Sequence, residues 1–243
     1  MIRSALDPQL WPRLRLFIFD LDGTLIDSKL DLALSVNATR GEFALPPLPH
    51  EQIFGYIGQG APMLIRRSLD HTADDELVER ALAFFLAYYR EHMLDNTVAY
   101  PGVQEGLEQL VGGSRILTVL TNKPERFSRA ILAGLGLAGY FRAIYGGNSF
   151  ERKKPDPMGV EVLLGETGVG KEQAMVVGDS EIDVLTARNA AVWVCGVNYG
   201  LGSHLLDEYP PDLRVDSLTE LAALVAGPTG EKPEPPNLPG HPK

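Results

Sequence analysis

The stretch LRLFIFDLDGTLIDS, residues 14–28, joins an apolar run to two closely spaced aspartates. Five of the six residues before Asp20 are apolar or aromatic, which predicts a buried β-strand that ends at this aspartate. Asp22 follows after one leucine, and two carboxylates this close repel each other unless a cation neutralises them. Hard divalent cations prefer oxygen ligands, so the pair predicts a Mg²⁺ site. Such a pair also occurs at an ordinary strand end, where an aspartate caps a turn.

Composition narrows the classes of partner. The chain has 243 residues and a formal net charge of −10, with 44% hydrophobic and 22% charged residues. This acidity disfavours nucleic acid and anionic membranes as main partners, because both attract basic surfaces. A small anionic substrate stays compatible, because a metal ion or a lysine inverts the charge of a single site.

Cysteine content and hydropathy indicate the cellular compartment in which the protein is expected. Cys195 is the one cysteine, so the chain forms no internal disulfide, and the surrounding VWVCGV predicts a buried core residue. The first residues, MIRSALDPQLWPRLR, lack the apolar core of a signal sequence. No segment approaches the roughly 20 apolar residues of a membrane span. We therefore expect a cytoplasmic protein.

Short apolar runs alternate with helical patterns along most of the chain. The predicted strands are 16–19, 116–120, 143–145, 175–177 and 192–197, and the predicted helices between them are 103–111, 124–135, 157–166 and 183–189. This alternation predicts right-handed βαβ units. The expected fold class is α/β, with a Rossmann-like, doubly wound parallel sheet whose strands are buried on both faces.

Residues 28–97 interrupt this alternation and show helical patterns alone. The predicted helices are 30–43, 50–56, 61–69 and 75–93. We expect a small helical domain at 28–97, inserted into a core formed by residues 1–27 and 98–226. The polar, proline-rich segment 227–243 cannot pack a core and is predicted to be disordered.

Polar side chains follow the predicted strand ends. They are Thr121 and Asn122 in TNKP, Lys154 in ERKKPDP, and Asp179 and Asp183 in GDSEID. The carboxyl ends of parallel strands meet at one edge of the sheet, where open α/β sheets place their sites. Each residue also has a structural explanation, as a helix cap or as surface charge. One shared site accounts for all of them, and we predict that site.

The segment GETGVGKE, residues 165–172, has the glycine and lysine spacing of a phosphate-binding P-loop but does not fit one. Glu172 stands where a P-loop needs a serine or threonine on Mg²⁺, and its carboxylate repels phosphate. The segment also precedes a predicted strand, whereas a P-loop follows a strand and opens a helix. We interpret Gly165 and Gly168 as the end of a helix and the turn after it.

The motifs FDLDGTLIDS, TNKP, KKPDP and VGDSEID, in this order, resemble those of the haloacid dehalogenase superfamily of phosphohydrolases. The resemblance covers roughly residues 15–224. Within the superfamily, the segments YIGQGAPMLIRRSL, YPGV, LTNKPERF, FERKKPDP and GVNYG most resemble the phosphoglycolate phosphatase branch. The helical domain is similar to that superfamily's small cap. One departure is Ala191, where the superfamily often has glycine, and we expect it to alter a turn rather than activity.

The resemblance implies roles for the aspartates. Asp20 is the expected nucleophile, which forms an aspartyl-phosphate, and Asp22 is the expected acid and base. Mg²⁺ is the implied cofactor, held by the Asp20 and Asp179 side chains and the Asp22 backbone carbonyl. Asp183 is expected to orient a water on the metal.

Further roles follow for the phosphate and the rest of the substrate. Thr121 and the Asn122 backbone are expected to donate hydrogen bonds to phosphoryl oxygens, and Lys154 to neutralise the charge shared by phosphate and nucleophile. In the cap, the free N–H groups after Gly60 and the Arg66 side chain are candidates for binding a substrate carboxylate, with Gln59 and Arg67 as further candidates.

The expected reaction is Mg²⁺-dependent hydrolysis of a small anionic phosphate ester, with 2-phosphoglycolate as the leading substrate. Sugar phosphates, nucleotides and pyrophosphate stay open as substrates, as do a phosphomutase and a non-catalytic phosphate-binding protein. The dehalogenase and phosphonate-cleaving branches are disfavoured, because they lack the acid–base carboxylate that Asp22 supplies. The sequence does not predict the oligomeric state.

Overall fold

A parallel β-sheet forms the centre of the computed structural model, which describes residues 8–69 and 73–226. The strands of the described chain are β1 (Leu16–Phe19), β2 (Ile26–Asp27), β3 (Val98–Ala99), β4 (Ile116–Leu120), β5 (Ala143–Tyr145), β6 (Ala174–Gly178), β7 (Trp193–Val197) and β8 (Leu213–Val215). Six of them form one sheet in the order β5-β4-β1-β6-β7-β8, and every neighbouring pair is parallel. β1 therefore lies between β4, which is followed by Thr121 and Asn122, and β6, which is followed by Asp179.

β1 is buried on both faces because its side chains alternate between two apolar clusters. Phe17 and Phe19 pack into one cluster, whereas Leu16 and Ile18 pack into the other, and all four are at most 1% exposed. Burial of this kind stabilises each large side chain by roughly 1.5–3 kcal/mol relative to exposure. The end of β1 is thus a rigid support for Asp20, whose N–H donates to the Val177 carbonyl at 2.9 Å.

Helices cover both faces of the sheet. The α-helices of the described chain are α1 (Lys29–Glu42), α2 (His50–Phe54), α3 (Ala61–Leu69), α4 (Asp75–His92), α5 (Val103–Gly112), α6 (Glu125–Gly134), α7 (Met158–Thr167), α8 (Glu181–Ala190) and α9 (Leu218–Ala226). Side chains of α5, α6 and α9 belong to the apolar cluster of Phe17, and those of α7 and α8 to the cluster of Leu16. This two-sided cover is what a parallel sheet requires.

Helices α1–α4 lie between β2 and β3, and we call residues 29–92 the helical insert. Its longest helix, α4, is capped at its N-terminus by Asp74, whose side chain accepts a hydrogen bond from the Leu77 N–H at 2.8 Å. Its buried residues recur every three or four positions, which directs one apolar stripe inward. They are Val78, Ala81, Phe85 and Tyr89.

The two connections to the helical insert are tied together. β2 and β3 pair antiparallel, with Ile26 opposite Ala99. Next to them, the buried Asp31 carboxylate of α1 accepts hydrogen bonds from the backbone and side chains of Asn96 and Thr97, at 2.7–3.0 Å. A buried carboxylate needs such donors to offset its lost hydration. The chain therefore enters and leaves the insert at one point.

The predicted fold class is confirmed. Each of the four helices predicted within 28–97 is present, and their ends lie within two residues of the predicted ones. The helix predicted at 183–189 starts earlier, at Glu181, because Ser180 and Asp183 form a reciprocal capping box. The prediction missed β2, β3, β8 and α9. The prediction for 227–243 lies outside the described residues.

Two smaller interpretations are also confirmed. Cys195 is fully buried in the core, where burial raises its thiol pKa. Gly168 ends α7 in a left-handed conformation with φ of 67°, ahead of β6, so the glycine-rich segment is a helix terminus rather than a P-loop. Within the described residues, no helix has the length and apolar character of a membrane span.

Candidate active site

The predicted strand ends meet at one edge of the sheet. Asp20 follows β1, Thr121 and Asn122 follow β4, and Asp179 follows β6, and all four residues are buried or nearly so. Lys154 reaches the same place from the loop before α7. The register of adjacent parallel strands brings these side chains together although they are far apart in sequence.

Lys154 lies between two carboxylates. Its Nζ is 3.0 Å from Asp20 Oδ1 and 2.6 Å from Asp183 Oδ1, and its side chain is only 3% exposed. Burial alone lowers the pKa of Lys154, but Asp183 and Asp20 more than offset this, so its pKa is raised and the ammonium stays charged. Burial likewise raises the pKa of Asp20 to about 6, although Lys154 opposes that rise.

Asp179 completes an acidic cluster. One carboxylate oxygen from each of Asp20, Asp179 and Asp183 lies within 4.8 Å of the others. Burial first, and then the charges of Asp183 and Asp20, raise the pKa of Asp179 to about 8. Thr24 Oγ1 and the Gly202 N–H donate to its two oxygens at 3.0 and 2.9 Å.

This cluster fits a hard divalent cation. Asp20 Oδ1 is buried and, among the described residues, makes no well-aligned hydrogen bond despite the nearby ammonium. Two glycines leave room for the Asp179 carboxylate, because a Cβ at Gly23 would lie 2.3 Å from Asp179 Oδ2 and one at Gly200 would lie 2.1 Å from Asp179 Cβ. Mg²⁺ prefers oxygen ligands, and its charge would stabilise the ionised form of carboxylates whose pKa values are raised by burial and by one another.

Asp22 faces away from this cluster. Ser28 Oγ donates to Asp22 Oδ1, and Lys123 Nζ lies 2.9 Å from Oδ1 and 3.2 Å from Oδ2. The same Lys123 ammonium donates to the Tyr89 hydroxyl of α4 at 2.7 Å. Burial lowers the pKa of Lys123, but Asp22 and Tyr89 more than offset this and raise it.

Two cavities adjoin Asp20 and Asp22. One is lined by Thr121, Asn122 and Gly60 together with apolar side chains of α1, α3, α4 and α6. The other is lined by Asp179, Gly58, Gln59, Arg67 and His204, among others. Both lie between the helical insert and the sheet edge.

The comparisons with known proteins agree with this geometry. Residues 17–197 match the family model described as haloacid dehalogenase-like hydrolase. A phosphoglycolate phosphatase of Pseudomonas putida is 41% identical over 221 residues, which are 88% of this chain and 80% of that protein. One of Haemophilus influenzae is 37% identical over 87% of this chain and 98% of its own length.

This chain belongs to the haloacid dehalogenase-like hydrolase family. A crystal structure from Haemophilus somnus 129pt, described as a predicted phosphoglycolate phosphatase, has the same fold with a TM-score of 0.83. It is 32% identical and covers 87% of this chain and 98% of its own. The family places the acidic cluster and Lys154 in a hydrolase.

For this haloacid dehalogenase-like hydrolase, the structure brings most predicted site residues together. They are Asp20, Asp22, Thr121, Asn122, Lys154, Asp179, Asp183 and Gly60. Arg66 differs from the prediction, because it pairs with Asp75 on the surface of the insert and lines neither cavity. Its neighbour Arg67 lines the second cavity and donates to Gln59 Oε1 at 2.9 Å. Adjacent helical residues point about 100° apart, which explains the difference.

The Asp22 side chain also differs from the other aspartates, because it is not part of the acidic cluster. Of the Asp22 atoms, the prediction named the backbone carbonyl as a metal ligand, and the orientation of the side chain is compatible with that choice. Sequence reasoning assigned no role to Lys123 or Tyr89. The position of Lys123 within TNKP was a signal for the first, whereas Tyr89 is indistinguishable from the apolar stripe of α4.

Proposed function

We propose that this chain is a Mg²⁺-dependent phosphatase that hydrolyses a small anionic phosphate monoester, 2-phosphoglycolate, through an aspartyl-phosphate. The observation that carries the proposal is the placement of Asp20: buried at the end of β1, beside Lys154, with an oxygen that makes no well-aligned hydrogen bond. The phosphoglycolate phosphatases of Pseudomonas putida and Haemophilus influenzae supply the substrate hypothesis.

In the first half-reaction, a carboxylate oxygen of Asp20 attacks phosphorus and the bond from phosphorus to the ester oxygen breaks. Asp22 enters this step as the neutral acid and gives its proton to the leaving oxygen, which yields the alcohol and an aspartyl-phosphate. The carboxylate that this leaves on Asp22 faces the donors Ser28 and Lys123. Lys154 offsets the negative charge that carboxylate and phosphate bring together, and Thr121 and the Asn122 backbone donate to the phosphoryl oxygens. Because these groups are buried and already in place, little reorganisation accompanies attack.

In the second half-reaction, water attacks the phosphorus of the aspartyl-phosphate and gives a proton to Asp22. The bond between phosphorus and the Asp20 oxygen breaks, which regenerates the carboxylate and releases inorganic phosphate. Asp22 gains the proton that it lost in the first half-reaction, so the cycle closes without another proton donor.

The acidic cluster provides the ligands for Mg²⁺. Asp20 and Asp179 would hold the ion with the backbone carbonyl of Asp22, and Asp183 would orient a water molecule on it. When bound, Mg²⁺ reduces the repulsion between a carboxylate nucleophile and a phosphate ester.

The helical insert supplies the groups that select the substrate. The insert contributes Arg67 and Gln59 to the second cavity, where a guanidinium suits the carboxylate of a substrate such as 2-phosphoglycolate. The carbonyl of Gly58 accepts from Asn122 Nδ2 at 3.1 Å, and the Gln59 carbonyl accepts from Lys153 Nζ at 2.7 Å. These contacts hold the selecting loop next to the phosphate-binding residues. In this arrangement the insert acts as the cap.

Purified wild-type protein and Asp20→Asn test the proposed function. We expect wild-type protein to hydrolyse 2-phosphoglycolate and 4-nitrophenyl phosphate in Mg²⁺ and to lose both activities in a chelator. Asp20→Asn removes the nucleophile at nearly constant volume, so both rates should fall by at least about 10⁴-fold. Equal rates for the two proteins would refute the nucleophile. Hydrolysis of sugar phosphates or nucleotides in preference to 2-phosphoglycolate would refute the substrate and leave the chemistry standing.

A further inference from the structure

Lys123 is a buried cation that the proposed mechanism does not use. Its side chain is 4% exposed, and its ammonium contacts both oxygens of Asp22. A buried lysine costs free energy unless charged or polar partners surround it, so this position carries a cation for a reason beyond packing. Together with Ser28, Lys123 fixes how the Asp22 carboxylate is turned, because both donate to Oδ1.

The second partner of the Lys123 ammonium comes from the helical insert. The Tyr89 hydroxyl accepts from Lys123 Nζ at 2.7 Å, and the ammonium lies 4.7 Å from the centre of the Tyr89 ring. Tyr89 is held in turn by Phe85, stacked at 5.6 Å, and by the edge of Phe127 from α6, at 5.5 Å. Lysine is a flexible point charge, so a second anchor decides where its ammonium lies.

We propose that Lys123 is a positioning residue for Asp22, and that Tyr89 holds Lys123 in place when the helical insert lies on the core. The inference rests on the proposed function, in which Asp22 gives a proton to the leaving oxygen. Lys123 itself touches no reacting atom. It turns Asp22 toward the ester oxygen, and the hydroxyl of Tyr89 makes that orientation depend on the insert.

The leaving group distinguishes this role from a structural one. Phenoxide is a poor leaving group that needs a proton, whereas 4-nitrophenoxide leaves without one. For Lys123→Met we therefore expect kcat/KM to fall by about 100-fold with phenyl phosphate and by less than about threefold with 4-nitrophenyl phosphate. For Tyr89→Phe, which removes one hydroxyl, we expect about a tenfold fall with phenyl phosphate and none with 4-nitrophenyl phosphate.

Two further variants keep the test independent of folding. Lys123→Arg preserves the charge and should stay within about tenfold of wild type on phenyl phosphate. Tyr88→Phe is the matched control on α4, where Tyr88 stacks on His92 at 4.2 Å, and should change neither rate. Circular dichroism and thermal unfolding of each variant identify any that fail to fold. If Lys123→Met does not fold, the rates of Tyr89→Phe, which is the mildest change, test the positioning role.

The results separate the inference from the proposed function. If wild-type protein hydrolyses both esters and the variants lose activity equally on both, Lys123 supports phosphate binding or folding, and the positioning role is wrong. Unchanged rates in Lys123→Met would overturn it as well. A wild-type protein that hydrolyses neither ester contradicts the proposed function and, with it, this role.

Discussion

The two sides of the site each pair a buried lysine with an aspartate of the FDLDG segment, but they draw on different parts of the chain. On the core side, Lys154 contacts Asp20 at the end of β1 and Asp183 of α8, and both partners belong to the core. On the insert side, Lys123 contacts Asp22 of the core and Tyr89 of α4. In the proposed mechanism, the nucleophile and its lysine are therefore held by the core, whereas the acid–base residue is held jointly with the insert.

The electrostatics of the two sides also differ. The core side has three carboxylates and one lysine, so negative charge exceeds positive charge. Burial raises the pKa values of Asp20 and Asp179, and the charge of Asp183 adds to the rise. The insert side has one carboxylate, one ammonium and the hydroxyls of Ser28 and Tyr89. The core side consequently needs a cation in addition to Lys154, whereas on the insert side the charge of Lys123 already balances that of Asp22.

The largest expected effect comes from breaking the core-side pair. Lys154→Met should lower kcat/KM by about 10³-fold, because it removes a preorganised charge next to the transferring phosphate. The loss should be the same for phenyl and 4-nitrophenyl phosphate, in contrast to Lys123→Met. Lys171→Met removes an exposed charge and serves as the control. If the fall in kcat/KM for Lys154→Met were larger with phenyl phosphate than with 4-nitrophenyl phosphate, the two lysines would not have the different roles proposed.

Metal binding should depend on pH on the core side. Without metal the pKa of Asp179 is about 8 and that of Asp20 about 6, so binding of Mg²⁺ to carboxylates displaces protons below these values. Its apparent affinity should rise by about tenfold per pH unit between pH 6 and 8, for one proton released. Calorimetry of the substrate-free protein in buffers of different ionisation enthalpy measures both quantities. An affinity that is constant across this range would contradict the assignment.

The same pKa values determine the sign of a stability change. Because the folded-state pKa of Asp179 lies above the ordinary value of 3.8, the metal-free fold binds the proton more tightly than the unfolded chain does. Its contribution to stability is complete at low pH and is lost as the pH rises from about 4 to about 8. Saturating Mg²⁺ should remove this decline, which urea unfolding at several pH values would detect.

A smaller effect is expected on the insert side. Arg67→Ala should raise the KM for 2-phosphoglycolate by about tenfold, because a guanidinium–carboxylate contact is lost, and leave kcat within about twofold. Its KM for 4-nitrophenyl phosphate, which lacks a carboxylate, should not change. Arg66→Ala is the matched control, because Arg66 pairs with Asp75 at the surface. If Arg66→Ala raised KM instead, the cavity assignment would be wrong.

The smallest expected effect leaves both sides untouched. Ala191 ends α8 in a left-handed conformation with φ of 56°, which costs alanine about 1 kcal/mol or more and glycine little. Ala191→Gly should raise the free energy of unfolding by about 0.5 kcal/mol, after the entropy of glycine in the unfolded chain is subtracted. Neither ester should be hydrolysed at a different rate. A lower unfolding midpoint in urea would contradict this reading of the turn.

The core side of the site could be predicted from the sequence. Asp20, Thr121 and Asp179 each follow an apolar run, and the geometry of a parallel sheet brings such strand ends together without any knowledge of side-chain packing. The bounds of β1 and β4 were predictable for a related reason, because burial on both faces leaves a nearly continuous apolar run. Those of β5 were predictable although it is a half-buried edge strand, because its three residues are apolar or aromatic. β8 escaped prediction, since three residues with one half-buried arginine give little pattern.

The insert side could not be predicted in the same way. The contact between Tyr89 and Lys123 depends on how α4 packs on the core, and the sequence of α4 shows only that Tyr89 belongs to an apolar stripe. Arg66 and Arg67 are adjacent and chemically identical, so only the rotation of α3 decides which one lines a cavity. The periodicity of a single helix does not predict contacts that depend on how that helix packs against another element.

Asp31 and the pairing of β2 with β3 hold the two ends of the helical insert next to each other. With β2 beside β3 and Asp31 bonded to Asn96 and Thr97, the ends of a segment of more than sixty residues lie as close as the ends of a hairpin. The insert therefore connects to the core in the same way as a short hairpin turn does. An insert with adjacent ends can change in length or in surface residues without changing the strand order of the sheet. Its substrate-contacting residues can therefore evolve while the position of Asp20 is unchanged.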